Sequence, residues 1–411
     1  MRCDSVVGRS IVCAVTMLML VFFNQRVGAE ESSVAHVPAP SGPYAVGTMT
    51  IRLVDASRDD PFLHNGTKRE LMVRFWYPSP RSGTCVPAEY SSPNVRRYLS
   101  LLGLLGLPET EVRTNSCRDT PAISGAHPVI VASHGYTGLF TDYTFLFEDL
   151  ASRGYVIASI AHTFESSVVE TPDGRLLQSH LGMHFVGDSL RTDDQSIRFA
   201  MSVRVRDMAF VLAQLKGLNE TKGFLSGKLD LQRIGALGHS MGADTVMTSL
   251  RQQPNLRAAV LFDPVLLSAA STAGTDKPVV LASTGREEWS ESECELWSRA
   301  RGPRVALMFA GAEHLTPTDA VWLGDYLPAL HVETGSLGRD RTIRAIREFV
   351  SSFFGAHLEG KPPGLLLNGL STEFVDVTVT PRTGALCAQS SQPLGIASRE
   401  SSSAKKGRSD R

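Results

Sequence analysis

The chain has 411 residues, 42% hydrophobic and 20% charged, the make-up of a globular protein with room for one large domain or two small ones. A formal net charge of −1 leaves no basic excess to neutralise phosphates, which argues against a nucleic-acid partner.

From the N-terminus, Arg2 and Arg9 precede the apolar run "IVCAVTMLMLVFF", and small residues, Val27 and Ala29, then stand at the −3 and −1 positions of a cleavage site. The run is shorter than the roughly 20 residues a spanning helix needs, so residues 1–29 read as a signal peptide and the mature chain as exported. Residues 30–47, rich in Pro, Ser and Ala, are expected to form an extended leader. "MTIRLVD" (49–55) and "LMVRFWYP" (71–78) read as an antiparallel pair of strands. "HPVIVASHG" (127–135) is a buried strand, "FLFEDLASRG" (145–154) a helix closed by glycine, and "YVIASIAH" (155–162) the next strand. "SIRFAMSVRVRDMAFVLAQLKG" (196–217) has helical apolar spacing.

"RIGALGHS" is then a strand, with a helix starting at Met241. "RAAVLFDP" (257–264), "KPVVLAST" (277–284) and "RVALMFAG" (304–311) are further strands, and "DRTIRAIREFVSSFF" (340–354) a last amphipathic helix. Short apolar strands alternating with helices predict an α/β fold, a mostly parallel central sheet with helices on both faces, over residues 48–382. Residues 383–411 read as a disordered polar tail.

Export makes disulfides the expected state of the cysteines left after the signal: Cys85, Cys117, Cys294 and Cys387. Cys85 and Cys117 flank one insertion, which favours their pairing and leaves Cys294 with Cys387. No Cys-x-x-Cys or His spacing points to a metal. Asn65 and Asn219 head glycosylation sequons.

The motif Gly238-His239-Ser240-Met241-Gly242 joins a strand to a helix. Such a turn strains the serine backbone, and side chains two before and two after would collide, so Gly238 and Gly242 fit a nucleophile elbow. The helix N-terminus also faces developing negative charge there. A serine needs a base, which follows it in this fold class. His314, in "AEHLTPTD" just past a strand end, suits that role better than His331 or His357. Asp263, which ends an apolar strand, and Glu287 or Glu288 are the candidate acids. Met241 and, after the loop "HGYTG", Tyr136 are the expected backbone donors to an oxyanion, with His134 shaping that loop.

Together, "RFWYPSP", "SHGYTG", "DLQRIGALGHSMGA", "VLFDP" and "GAEHLT" resemble the secreted, plasma-type platelet-activating factor acetylhydrolase family of the α/β-hydrolase superfamily. The resemblance implies Ser240 as nucleophile, Asp263 rather than Glu287 as acid, His314 as base, and no cofactor. It also implies hydrolysis of short or oxidised sn-2 acyl chains of phospholipids, and lipid-surface contact through Tyr98 to Glu109 and, in a second region, 322–330. An apolar segment of this kind is otherwise core. Gly242-Ala243 and Pro264 depart from the family pattern and bear on acyl and headgroup specificity rather than on the triad. A cutinase- or polyester-type hydrolase, or a carboxylesterase of the dienelactone-hydrolase-like group, shares "GHSMG". A non-catalytic binding module would be expected to lack a triad member.

Overall fold

The computed structural model describes residues 34–380 and Cys387, apart from 82–84, 102–110, 182–183, 187–188, 192–193, 286–287, 328–329, 365–373 and 375–376. The signal segment therefore lies outside the described residues. Strands in chain order are β1 (Val34–His36), β2 (Ala45–Asp59), β3 (Lys68–Ser79), β4 (Pro87–Glu89), β5 (Glu111–Arg118), β6 (His127–Ser133) and β7 (Val156–Ala161). Two small hairpins follow, β8 (Val168–Glu170) with β9 (Leu176–Gln178) and β10 (His184–Val186) with β11 (Ser189–Arg191). The sheet resumes with β12 (Leu229–His239), β13 (Leu256–Phe262), β14 (Val279–Thr284), β15 (Arg304–Phe309) and β16 (Val377–Thr380).

The helices are α1 (Pro93–Leu101), α2 (Thr144–Ser152), α3 (Asp194–Glu220), α4 (Met241–Gln252), α5 (Ala269–Thr272), α6 (Glu291–Arg299), α7 (Ala320–Leu323) and α8 (Gly338–Glu359). The sheet runs β1-β5-β2-β3-β7-β6-β12-β13-β14-β15-β16, with β4 on β5. From β7 to β15 all pairings are parallel, which is why β6, β7 and β14 are apolar or small on both faces. One core layer packs α2 and α8 on the sheet, the other α3, α4 and α6. Among the described residues no helix is long and apolar enough to cross a membrane.

The strand order reverses between β6 and β12, the crevice where sheets of this kind place their ligands. The register levels the strand ends there: Gly238 pairs with Ser133 of β6 and with Leu261 of β13. The residues just past each strand, His134, Ser240 and Asp263, thus leave the sheet at one edge.

The leader is part of the fold: β1 pairs with β5, Ala35 and Val37 are buried, and Ser41 donates to Asp149, because these side chains cover apolar surface beside α2. In the proposed second contact region Trp322, Leu323 and Leu327 are buried in the core, Tyr326 and Leu330 are partly buried against it, Asp325 is exposed, and 328–329 lie outside the described residues. Of residues 383–411 only Cys387 is described, and it is bonded to Cys294 of α6. Of the first proposed contact segment, Tyr98 is half-buried, Leu99 is buried, Leu101 is 81% exposed, and residues 102–109 lie outside the described residues.

Both expected disulfides, Cys85–Cys117 and Cys294–Cys387, are formed. The second spans 93 residues, so it removes much entropy from the unfolded chain. Cys294→Ser with Cys387→Ser is expected to lower stability by about 4 kcal/mol. Denaturant unfolding checks this, with an unchanged midpoint as the contrary result.

Candidate active site

Ser240 leaves β12 with φ 54° and ψ −123° and caps α4. The elbow is too tight for side chains: a Cβ on Gly238 would lie 2.4 Å from the Gly242 carbonyl oxygen, and one on Gly242 would lie 2.1 Å from that of Ser133. Backbone bonds seat the turn between neighbours. Ser240 N–H donates to Phe262 O at 2.9 Å, and Val265 N–H donates to Ser240 O at 3.1 Å.

Asp263, also at positive φ (36°), follows β13 on the next strand. Its Oδ1 accepts from Thr284 N–H at 3.2 Å, and its Oδ2 accepts a close hydrogen bond from His314 Nδ1. Of the two acids left open by the residues alone, the imidazole meets Asp263; Glu288 is exposed and makes no such contact, and Glu287 lies outside the described residues. With Nδ1–H bound to a carboxylate, Nε2 is the ring's free lone pair.

His239 couples His314 to the elbow. Its Nε2–H donates to His314 O at 2.8 Å, and the two rings lie 4.7 Å apart. On the other side of the serine, Gly135 is so close that a Cβ there would sit 3.5 Å from Ser240 Cβ. Met241, first in α4, is buried in an apolar cluster with Leu181, Ile197, Ala200 and Met201, against which Phe62, Tyr136 and Leu267 pack. Phe62 also stacks edge-on with Phe199 at 5.4 Å. This apolar wall adjoins Ser240 through Met241. Among the described residues no group of His, Cys, Asp or Glu is arranged to hold a metal ion.

Burial pushes the His239 ring from its ordinary value down to about 3, helped by the neighbouring His314. Below about pH 6.5 the unfolded chain takes a proton that the folded chain refuses, so His239 withdraws stability as pH falls from about 6.5 towards 3. The stability advantage of the native protein over His239→Gln is therefore expected to shrink by about 2 kcal/mol between pH 7 and pH 5. Denaturation midpoints of both proteins at the two pH values check this, and a pH-independent difference would contradict it.

Two carboxylates hold the loops around the site; Asp244 was expected from the sequence to point away from Ser240, and Asp319 escaped the sequence reading. Asp244, in the first turn of α4, turns away from Ser240 and accepts from Leu267 N–H, Ser268 N–H and the Ser271 hydroxyl, which fixes the loop after Asp263. Asp319, five residues past His314, accepts from Thr144 N–H, Phe145 N–H, Tyr90 Oη and Trp322 Nε1. It thereby rivets the His314 loop to the N-terminus of α2. His134 is confirmed as loop-shaping: buried and neutral, it donates from Nδ1 to Gly135 O at 2.7 Å and accepts at Nε2 from Ser166 Oγ at 2.8 Å.

A serine elbow at the switch point of a mostly parallel sheet, with a histidine–carboxylate pair beside it, defines the class: carboxylic ester hydrolases of the α/β-hydrolase fold. A ferulic acid esterase from Streptomyces cinnamoneus superposes with TM-score 0.72 at 30% identity, over 84% of this chain and 99% of that one. The chain belongs to the family described as platelet-activating factor acetylhydrolase, isoform II, whose model matches residues 29–173 and 207–314. A probable 1-alkyl-2-acetylglycerophosphocholine esterase from Arthroderma benhamiae is 23% identical over 83% of this chain and 92% of its own length. The platelet-activating factor acetylhydrolase of Cavia porcellus is 24% identical over 61% of each chain. Cutinase 2 of Thermobifida cellulosilytica is 22% identical over 35% of this chain and 42% of its own.

Proposed function

We propose that the protein is an exported serine esterase that hydrolyses short or oxidised sn-2 acyl chains of phospholipids through Ser240, Asp263 and His314. The observation that carries the reading is the His314 Nδ1–Asp263 pair beside the strained Ser240 turn. His314 Nε2 takes the Ser240 Oγ proton as Oγ bonds to the ester carbonyl carbon, and the amides of Met241 and Tyr136 hold the oxyanion. Collapse of the tetrahedral intermediate breaks the ester C–O bond, and His314 returns the proton to the leaving lysophospholipid. Water, deprotonated by the same imidazole, then frees the acyl group from Ser240.

Export is supported by the disulfides and by the N-terminal sequence. The sn-2 preference is supported by the activities for which the fungal and mammalian relatives are named. The Streptomyces neighbour, named for ferulic acid, favours a second reading, an esterase for hydroxycinnamate esters. One panel decides between them: phospholipids with sn-2 chains of two to sixteen carbons, methyl ferulate and an aliphatic polyester. The first reading expects the highest kcat/KM on the sn-2 acetyl phospholipid; a preference for methyl ferulate or the polyester would overturn it.

A further inference from the structure

Arg204 is fully buried on α3, where a cation is costly unless its donors are satisfied. Its guanidinium spreads over three acceptors. Nε donates to Glu165 Oε2 at 2.6 Å, Nη1 to His134 O at 2.6 Å, and Nη2 to Gly135 O at 3.2 Å. Gly135 O is thus held by Arg204, by His134 Nδ1 and by Gly138 N–H at 3.2 Å.

A trans peptide is planar, and its N–H points opposite to its carbonyl. Fixing Gly135 O from the interior therefore fixes the Tyr136 N–H in the reverse direction. That peptide starts from Gly135, which is beside Ser240: a Cβ on Gly135 would lie 3.5 Å from Ser240 Cβ. The geometry points to Arg204, oriented by Glu165, as the positioning residue that aims the Tyr136 amide at the oxyanion. This inference rests on the reading of Tyr136 as an oxyanion donor.

The choice of arginine follows from the task. A planar fork can grip two successive carbonyls and a carboxylate at once, whereas a lysine is a point charge that satisfies one geometry at a time. Only the oxyanion of the transition state gains from a well-aimed amide, so the effect belongs to kcat rather than to substrate binding.

The test measures kcat and KM on p-nitrophenyl butyrate, Tm, and the Ki of a trifluoromethyl ketone. That inhibitor bonds to Ser240 Oγ through its carbonyl carbon and leaves an oxyanion in the same place. Three variants are compared. Arg204→Lys keeps the charge; Arg204→Met with Glu165→Leu removes both charges together so that neither is stranded; Glu165→Gln keeps shape and hydrogen bond and guards against loss of fold. For the first two, kcat is expected to fall by roughly 10- to 100-fold, KM to stay within about twofold, and Ki to rise by the same factor as kcat falls. For Glu165→Gln the same pattern is expected at about threefold to tenfold. Folded variants with native kcat and Ki overturn the inference, and so does a loss of kcat with unchanged Ki. Ser240→Ala, run alongside, separates the two readings: if it stays active, the site assignment itself has failed; if it is inactive while the Arg204 variants are native, only the present inference falls.

Discussion

Ser240→Ala is expected to lower kcat by on the order of 10⁵- to 10⁶-fold on any ester substrate. In the proposed mechanism the alcohol is the group whose bond to the carbonyl begins the reaction, and no neighbour can replace it. Met241 is apolar, and His314, deprived of the alcohol, can only assist water. The remaining rate is what the oxyanion donors and substrate binding provide without a nucleophile. The fold should be untouched. Alanine has the same Cβ as serine, so the backbone strain at φ 54° is unchanged, and the seating bonds to Phe262 and from Val265 are backbone. A fluorophosphonate probe supplies the second readout, since labelling must vanish with the hydroxyl. Native-level turnover of p-nitrophenyl acetate by the variant would remove Ser240 from the mechanism.

Asp263→Asn is expected to cost about 10⁴-fold in kcat with little change in KM. The carboxylate accepts from His314 Nδ1 and so keeps the Nε2 lone pair aimed outward. An amide can present its NH2 instead, which moves the imidazole proton to Nε2 and leaves no base for the serine. Asparagine tolerates the positive φ at this position and can still accept from Thr284 N–H, so Tm should change little. Glu287→Gln and Glu288→Gln serve as the contrast. In the polyester-hydrolase reading the acid follows the later strand, and the large loss would then move to one of them while Asp263→Asn remained active.

The parts of the site read from sequence are those where chemistry and chain order restrict the choice. The glycines around Ser240 are dictated by a turn whose steric demands are local, and the base had few candidates past that point. Asp263 stood out as a charge ending the strand "VLF", a place where burial demands a partner. The long-range anchors were not legible in the same way. Arg204 and Asp207 lie on the stripe Ile197, Ala200, Met201, Met208, Val211, Leu215 of α3, where helical spacing predicts apolar residues. Their presence on that stripe was the available signal, but spacing cannot say that Asp207 meets Arg69, 138 residues away. Nor could period and composition show that "VAH" near the leader would pair with β5, since a three-residue strand has no period of its own.

Asp319 gives the molecule an unequal tolerance for redesign. Because this one carboxylate clamps the start of α2 while its own loop carries the histidine, His314 and the helix behind the Gly135 turn form a single block. The cluster of Leu181, Ile197 and Met201 instead surrounds Met241, with Tyr136 packed against it. Redesign of that cluster therefore risks moving the two proposed oxyanion donors, while the Asp319 block keeps His314 in place.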